Sequence, residues 1–313
     1  MQMSQVRTIK TAPIFKQIWK HRAVYMFILP AFVWFIVFCY YPMYGLLLSF
    51  KNYEYSTGIL NSEWVGLRWF AKFLTDPSFW SIVINTLKIA VMKLVFCFPI
   101  PIVLALMLNA VKNQRFKRVV QTISYMPHFI SWVVVAAMVT KMLSPYQGMV
   151  NEIRQIFDPS AESEFYLGKK SLFYPLVILT DIWKGAGWGT IIYLAAISGV
   201  DTALYEAAVI DGARPMQITF RITLPLLYPT ICIMLIMEVG IILNVGYEQL
   251  LLLSTTATEE LADIIDTYVI RKGLTGGSHS YATAIGMTKS LITLLLLTTV
   301  NGISRRLSEV SLW

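Results

Sequence analysis

Six charged residues lie well inside the apolar runs of this sequence, and the chemistry available to them is the first question it raises. Four are lysines and two are acids: Lys88, Lys93, Lys184, Lys289, Asp181 and Glu238. A charge at the centre of a membrane span costs about 2.5 to 3.5 kcal/mol unless it pairs or reaches water. Because four lysines cannot all pair with two acids, the sequence predicts a polar cavity or a partner chain.

Two interpretations of these charges stay open. In the first, Asp181 and Lys184 lie three residues apart on one helix face and satisfy each other. Glu238 would then pair with Lys289 or Lys93. In the second, the surplus of basic charge lines a translocation path whose positive potential suits a polyanionic sugar, such as a uronate oligomer.

Aromatic side chains close to these charges are candidate sugar contacts. The stretch DIWKGAGWGTIIY contains Trp183, Trp188 and Tyr193. Such rings can stack on sugar faces, although packing against neighbouring helices is their commoner use. Gly185 and Gly189, four residues apart, favour the close approach of another helix. A second candidate group, suited to an outward gate or a sugar contact, lies at the end of the fifth apolar run: Asn244, Tyr247, Glu248 and Gln249.

The elements that position these residues are predicted to be membrane helices. Of the 313 residues, 56% are hydrophobic and 14% charged, well below the roughly 25% charged fraction of a soluble domain. Six apolar runs approach the roughly 20 residues that a bilayer core requires. The runs are 23–50, 81–111, 119–140, 171–200, 222–247 and 279–304. We expect an all-α integral membrane protein in which six helices form one domain, residues 23–304.

Charge counting predicts the orientation of these helices, because basic loops favour the cytoplasm. With the amino terminus inside, the cytoplasmic pieces are 1–22, 112–118, the loop 201–221 and the tail 305–313. They hold 13 basic and four acidic residues, against eight basic and twelve acidic residues in the outside pieces. The net charge of +8 is therefore attributed to membrane orientation and contact with lipid rather than to nucleic-acid binding.

The sequence offers no catalytic or metal-binding pattern. Its three cysteines lie inside apolar runs, away from CxxC spacing: Cys39, Cys97 and Cys232. Its three histidines are far apart: His21, His128 and His279. No GxxxxGK[ST] loop occurs, so the chain lacks the usual cradle for ATP phosphates. We expect neither a cofactor nor a metal in this chain, and a membrane-embedded enzyme is a weak alternative.

The stretch EAAVIDGARPMQITFRITLP, residues 206–225, is a charged interruption between the fourth and fifth runs. Thr202 is the predicted amino-terminal cap of a short helix that continues through Asp211, and Gly212 is the predicted residue that ends it. Pro215 suits the first turn of a second short helix. The predicted pattern is helix, turn, helix, and amphipathicity alone is equally compatible with a helix lying on the lipid headgroups.

This stretch resembles the EAA signature of permease subunits of bacterial ABC importers. The matching positions are Glu206, Ala207, Ala208, Gly212, Ile222, Leu224 and Pro225. The resemblance implies the six-helix type I importer fold, with this cytoplasmic loop as the coupling helix that sits in a groove of a separate ATPase subunit. Glu206 would be the polar contact, the two alanines would allow close approach, Gly212 would permit the turn, and Asp211 would belong to the polar face.

Other stretches resemble carbohydrate-uptake permeases of the maltose type, and among these the group that handles oligosaccharides or polysaccharides such as alginate or pectic fragments. They are WVGLRWFAKFLTDPSFWSIVINT (64–86), SYMPHFISWVVVAAMV (124–139) and ILNVGYEQLLLLS (242–254). The chain departs from the maltose-type permease in lacking a large inserted outer domain. The resemblance implies a second homologous permease as heterodimer partner, a solute-binding protein that delivers the glycan, and an ABC ATPase dimer that holds ATP and magnesium. It places the protein in the bacterial cytoplasmic membrane.

A stand-alone six-helix channel or proton-coupled carrier is the alternative from a different class. It would explain the charges inside the spans equally well. It gives no reason for a seven-position match in a cytoplasmic loop, since a channel needs no helix that docks on an ATPase.

Overall fold

The computed structural model describes residues 19–308, which fold almost entirely into helices. Most of the predicted tail 1–22 and of the tail 305–313 lies outside the described residues. Within them, four helices are long and apolar enough to cross a membrane: Arg22–Phe50, Phe79–Ala110, Pro215–Gly240 and His279–Arg306. Two bent helix pairs pass the same test only when taken together, Gln114–Phe129 with Trp132–Met142 and Lys170–Ser198 with Thr202–Ile210, and counting each pair as one span gives six. The six predicted runs overlap these segments, except that Thr202–Ile210 lies in the predicted loop 201–221 rather than in a run.

The helices in the first half of the described residues are short, and those outside the loops combine into the first three spans. They are α1 (Arg22–Phe35), α2 (Gly58–Asn61), α3 (Arg68–Leu74), α4 (Phe79–Met92), α5 (Pro99–Ala110), α6 (Gln114–Tyr125), α7 (Trp132–Met142) and α8 (Met149–Phe157). Two short antiparallel strands, β1 (Lys51–Asn52) and β2 (Glu63–Trp64), close the loop after the first span.

The second half contains the longest helices. They are α9 (Lys170–Ser198), α10 (Thr202–Ile210), α11 (Pro215–Ile218), α12 (Leu224–Gly240), α13 (Tyr247–Leu253), α14 (Glu259–Ala262), α15 (Ile265–Ile270) and α16 (His279–Ser308). Between residues 19 and 308, three 3₁₀ helices complete the helical structure: Tyr41–Phe50, Met126–Phe129 and Tyr166–Gly168.

Four π-turns interrupt or extend these helices in the described residues, at Ile36–Tyr40, Lys93–Cys97, Thr219–Thr223 and Arg271–Thr275. The turn at Lys93–Cys97 is followed by Pro99, which opens α5. Because proline has no backbone N–H, the preceding turn cannot keep the regular α-helical bonding. A wider turn therefore accommodates the proline within the second span.

Three clusters of buried side chains hold the bundle together. One joins α4, α9 and α13 around Ile89, Phe173 and Leu250. Another joins α5, α9 and α12 around Tyr193 and Leu227. The third joins α3, α4, α15 and α16. By contrast, α1 buries none of its residues, so it contributes nothing to the core of this chain.

Helix α9 is the centre of the bundle, and its glycines set how closely α5 and α6 approach. A Cβ atom at Gly187 would lie 2.0 Å from the carbonyl oxygen of Ser124, and one at Gly189 would lie 2.9 Å from Pro101. A Cβ atom at Gly185 would meet nothing within 4 Å. The sequence predicted Gly185 and Gly189 as the contact pair, and this was wrong for Gly185. The glycine of α9 that contacts α6 is Gly187, two residues after Gly185.

A hydrogen-bonded cluster ties the loops at the end of the bundle remote from α10. The Asp76 carboxylate accepts bonds from the hydroxyls of Tyr268 at 2.7 Å and Tyr281 at 3.1 Å. Burial alone would raise the pKa of Asp76, but the bonds from Tyr268 and Ser78 outweigh it, and the pKa is lowered. Burial and the same hydrogen bonds raise the pKa of Tyr268, which remains a donor.

Candidate functional site

Helix α10 is built as a self-contained unit by its two caps. Its amino-terminal cap is Asp201, whose side chain accepts a bond from the backbone N–H of Ala203 at 2.9 Å. The prediction of Thr202 as the cap was wrong, because Thr202 already has helical conformation. Gly212 ends the helix in the left-handed region at φ +73°, as predicted.

The carboxyl-terminal cap is a Schellman motif. The N–H of Ala213 bonds to the carbonyl of Ala208 at 2.9 Å, and the N–H of Gly212 bonds to the carbonyl of Val209 at 3.0 Å. Pro215 then opens α11, and the Arg214 N–H donates to the Gln217 side chain at 2.7 Å. The predicted helix, turn, helix pattern is therefore confirmed.

The exposed face of α10 combines one acid with apolar side chains. Glu206 and Ala207 are exposed, whereas Ala208 is buried at 9% exposure. Val209 and Ile210 are 64% and 85% exposed. Large apolar side chains so open to solvent mark a surface that contacts another protein or lipid. We call Glu206, Ala207, Val209 and Ile210 the α10 surface.

The α10 surface is linked to the fifth span through short contacts. The hydroxyl of Thr223, which is 1% exposed, donates to the hydroxyl of Tyr205 at 3.3 Å. Thr223 closes the π-turn that leads into α12, where Pro225 lies in the first turn. Ile222 and Leu224 flank Thr223 and are half-buried. This hydrogen bond joins α10 directly to the base of α12.

A cavity of about 240 Å³ lies between α5, α9 and α12. Its lining includes two carboxylates, Asp181 and Glu238, and four aromatic side chains: Phe98, His128, Trp188 and Tyr193. The rings of His128 and Trp188 are stacked, with centroids 4.5 Å apart and planes 3° from parallel. The cavity therefore offers flat aromatic surface beside hydrogen-bond acceptors.

The lysines inside the spans have partners that sequence spacing did not predict. The Lys93 ammonium pairs with the Asp181 carboxylate at 3.1 Å, whereas the sequence spacing predicted Lys184 as the partner of Asp181. The reason is that the π-turn after α4 brings Lys93 against α9. Lys184 instead donates to the backbone carbonyl of His128 at 2.6 Å and lies 5.5 Å from the ring centroid of Trp132.

The remaining two lysines, Lys289 and Lys88, also interact with side chains of other elements. Lys289 pairs with Asp266 of α15, so its predicted pairing with Glu238 was wrong. Lys88 is exposed and lies 4.1 Å from the ring centroid of Tyr174. Among the described residues no ion pair within 4.0 Å includes Glu238, which faces the cavity together with Asp181.

Comparison of the sequence with known proteins identifies the family of this chain. A profile described as the inner membrane component of binding-protein-dependent transport systems matches residues 98–309. The chain belongs to this permease family. It is 41% identical to the Bacillus subtilis polygalacturonan/rhamnogalacturonan transport system permease protein YteP over 294 residues, 94% of this chain and 91% of YteP. It is 38% identical to Protein LplB of the same bacterium over 290 residues, 93% of this chain and 91% of LplB.

Solved structures give the same result. The permease superposes on a chain of a bacterial ABC transporter involved in the import of the acidic polysaccharide alginate with a TM-score of 0.86. The two chains are 39% identical, and the match covers 94% of this chain and 99% of the other. A second structure, the alginate transporter in complex with an alginate pentasaccharide-bound periplasmic protein, gives a TM-score of 0.85 at 38% identity. The protein is thus a permease subunit of an ABC sugar importer, with the six-span fold that the resemblance implied.

The structure brings only part of the predicted path residues together in the permease. Asp181, Trp188 and Tyr193 line the cavity, whereas Trp183 is 46% exposed and is not part of its lining. Tyr247 and Glu248 are exposed at the start of α13, outside the cavity lining.

Several residues of the permease site escaped sequence reasoning. The sequence indicates no role for His128, yet its ring stacks on that of Trp188 in the cavity. Gln249 was taken as a gate or sugar contact, but it is fully buried. Asp266 received no role, although it holds Lys289. Each of these depends on a long-range contact, which residue spacing along one chain does not reveal.

Proposed function

We propose that this permease passes an acidic oligosaccharide, a uronate-containing glycan, into the cell as one half of a heterodimeric importer. The observation that carries the proposal is the 39% identity and TM-score of 0.86 to a chain of the alginate importer. The 41% identity to YteP supports it, because galacturonans are also uronate polymers. Both relatives are matched over 94% of this chain, so the likeness includes the cavity as well as the coupling loop.

The cavity is the proposed contact with the passing glycan. The ring of Trp188 offers a flat face for a sugar, and the carboxylates of Asp181 and Glu238 accept bonds from sugar hydroxyls. Asp181 pairs with Lys93 and no lysine belongs to the cavity lining, so the cavity itself does not present the surplus of positive charge that the sequence predicted. The acidic groups of the glycan therefore face the half of the path contributed by the second permease.

The α10 surface is the proposed site of coupling. It docks in a groove of the ATPase dimer, with Glu206 as the polar contact and Val209 and Ile210 as apolar anchors. Asp211 and Gly212 complete the turn. ATP and magnesium bind the ATPase, and this chain itself is not catalytic. Closure of the ATPase dimer pushes α10, and the link from Tyr205 to Thr223 passes the motion to α12.

The proposed topology follows from the charge distribution. The single membrane domain, residues 23–304, has cytoplasmic tails at 1–22 and 305–313 and the loop 201–221 on the same side. Thirteen basic residues on that side against eight on the other favour this orientation in the bacterial cytoplasmic membrane. A solute-binding protein delivers the glycan at the opposite face.

The substrate is tested with the reconstituted importer and its binding protein. Galacturonate or mannuronate oligomers should stimulate ATP hydrolysis and accumulate in vesicles, whereas neutral oligosaccharides of the same length should do neither. Equal stimulation by the neutral oligosaccharides would exclude an acidic substrate. In the same assay, the cavity substitution Trp188→Ala should raise the KM for uptake of the acidic oligomers.

Coupling is tested without any glycan. A tagged permease carrying Glu206→Lys should lose capture of the ATPase, because the α10 surface then presents the opposite charge. Glu162→Lys, the same charge reversal at an exposed position in the loop after α8, should capture the ATPase normally. Undiminished capture by Glu206→Lys would rule out this docking mode.

A further inference from the structure

The fifth apolar run of the permease, residues 222–247, does not stay helical to its end. Helix α12 stops at Gly240 and α13 begins at Tyr247, after Gly246 in the left-handed region at φ +84°. Two side chains of the break, Leu243 and Val245, are each 2% exposed. Irregular backbone at membrane depth is tolerated only where protein satisfies it or where it lines a cavity, and in transporters such breaks lie beside the transported substrate. Something must therefore hold residues 244–249, which we call the break segment.

A buried lysine holds one end of the break segment. The Lys93 ammonium donates to the Gln249 side chain at 3.0 Å as well as to Asp181 at 3.1 Å. Gln249 in turn donates to the carbonyl of Val177 at 2.7 Å and to the hydroxyl of Thr180 at 2.8 Å. One ammonium thus joins the second span, α9 and α13.

A second lysine holds the other end with the same chemistry. The Lys289 ammonium donates to the Asn244 side chain at 2.6 Å and pairs with Asp266. This contact joins α16, α15 and the start of the break segment. Each end is therefore fixed by a lysine, an aspartate from another element and an amide from the segment itself.

We propose that Lys93 and Lys289 are positioning residues, whose two lysine–aspartate–amide clamps fix the break segment and so place the exposed side chains of Tyr247 and Glu248. Neither lysine serves as a contact for the anionic glycan. Their side chains are only 15% and 11% exposed, and each ammonium already has a carboxylate and an amide oxygen as partners. The clamps fix the backbone of the break segment, and this role does not depend on which glycan the importer carries.

The two roles respond differently to paired substitutions. Removing one partner of a buried ion pair strands the other charge, whereas removing both charges is often close to neutral. A positioning lysine is therefore rescued when its aspartate is also neutralised. A lysine that binds the glycan is not rescued, because its positive charge is still missing.

The clamp at Lys289 gives the sharper test, since neither Lys289 nor Asp266 lines the cavity. The complete importer, with its second permease and ATPases, is prepared with Cys39, Cys97 and Cys232 replaced by alanine. Glu248→Cys is then introduced, and its rate of reaction with a water-soluble maleimide is measured without glycan. Glu162→Cys, in the exposed loop after α8, serves as the control position.

Lys289→Met should raise the labelling rate at position 248 about five-fold, because freeing one end of a segment lowers its local stability. Lys289→Arg keeps the positive charge, and the double variant Lys289→Met with Asp266→Asn removes both charges of the pair. The labelling rate at position 248 in each should therefore stay within about two-fold of the parent. Labelling at position 162 should not change. Unchanged labelling in Lys289→Met, or fast labelling in the double variant, would overturn the proposal.

Assembly and transport complete the test. If Lys289→Met does not assemble, the double variant decides, since parent-like labelling supports the clamp and fast labelling contradicts it. Uptake should fall in Lys289→Met and return in the double variant. Because labelling needs no glycan, failure of the acidic-substrate proposal leaves this result unaffected.

Discussion

The contact between α6 and α9 makes Gly187→Ala a severe substitution in a helix where alanine is otherwise favourable. A Cβ atom at this position would lie 2.0 Å from the Ser124 carbonyl oxygen and 2.3 Å from its carbon. Carbon atoms of real side chains essentially never approach a heavy atom within 3.0 Å, so the two backbones must separate by 1.0 Å, the difference between 3.0 and 2.0 Å. The bond from Lys184 to the His128 carbonyl, 2.6 Å long, joins the same two segments and would be stretched.

The size of the effect follows from two opposing contributions. Alanine in place of glycine stabilises a helix by about 0.5 to 1 kcal/mol. Overpacking against a rigid neighbour costs about 1 to 3 kcal/mol, and a clash with backbone rather than with a flexible side chain favours the upper end. Gly185→Ala gains the first contribution without the second, because a Cβ atom there meets nothing within 4 Å. The two variants should therefore differ by about 3 kcal/mol.

The assay is the thermal unfolding midpoint of the purified importer in detergent, measured for both variants and the parent. Gly185→Ala should unfold at or above the parental temperature, and Gly187→Ala clearly below it. The two substitutions are chemically identical and lie two residues apart, so detergent and expression effects cancel. A Gly187→Ala variant as stable as Gly185→Ala would refute the close contact and, with it, the packing of α6 on α9.

Three further outcomes are expected. Gly212→Ala should weaken ATPase capture and uptake, since a side chain at φ +73° costs about 1 to 2 kcal/mol in the turn that ends α10. Asp201→Ala should speed hydrogen exchange in α10 by removing a cap worth about 1 kcal/mol, whereas Thr202→Ala should leave the exchange rate close to the parental one. The folded pKa of Asp76 lies below its ordinary value of 3.8, so its stabilising contribution is present above that value and lost as the pH falls through the folded pKa. Asp76→Asn should therefore flatten the acid side of a plot of unfolding midpoint against pH, and Tyr268→Phe should shift that side toward higher pH.

The spans and the coupling loop could be predicted from the sequence because both depend on local information. A run of about 20 apolar residues is sufficient to identify a span. The prediction for the loop included Gly212 as the residue that ends α10, because only glycine enters the left-handed region without strain. The cap was misplaced by one residue, from Asp201 to Thr202, since both residue types are good caps and only the backbone decides between them.

The charges inside the spans could not be paired from the sequence, because their partners come from other spans. Helical spacing suggested Asp181 with Lys184, yet Lys93 reaches Asp181 through a π-turn that shifts the face of the second span. Asp266 lies outside the apolar runs, so the runs alone do not indicate it as the partner of Lys289. The predicted surplus of positive charge was therefore overestimated.

The π-turn at Thr219–Thr223 joins α11 to α12, and its number of residues sets the rotation of one helix relative to the other. A π-turn holds one residue more than an α-helical turn, and each residue advances a helix by about 100°. Removing a single residue from this turn would restore regular α-helix and rotate α11 by about 100° relative to the faces of α12. The relative rotation of these two helices therefore depends on the number of residues in the turn more than on their identity.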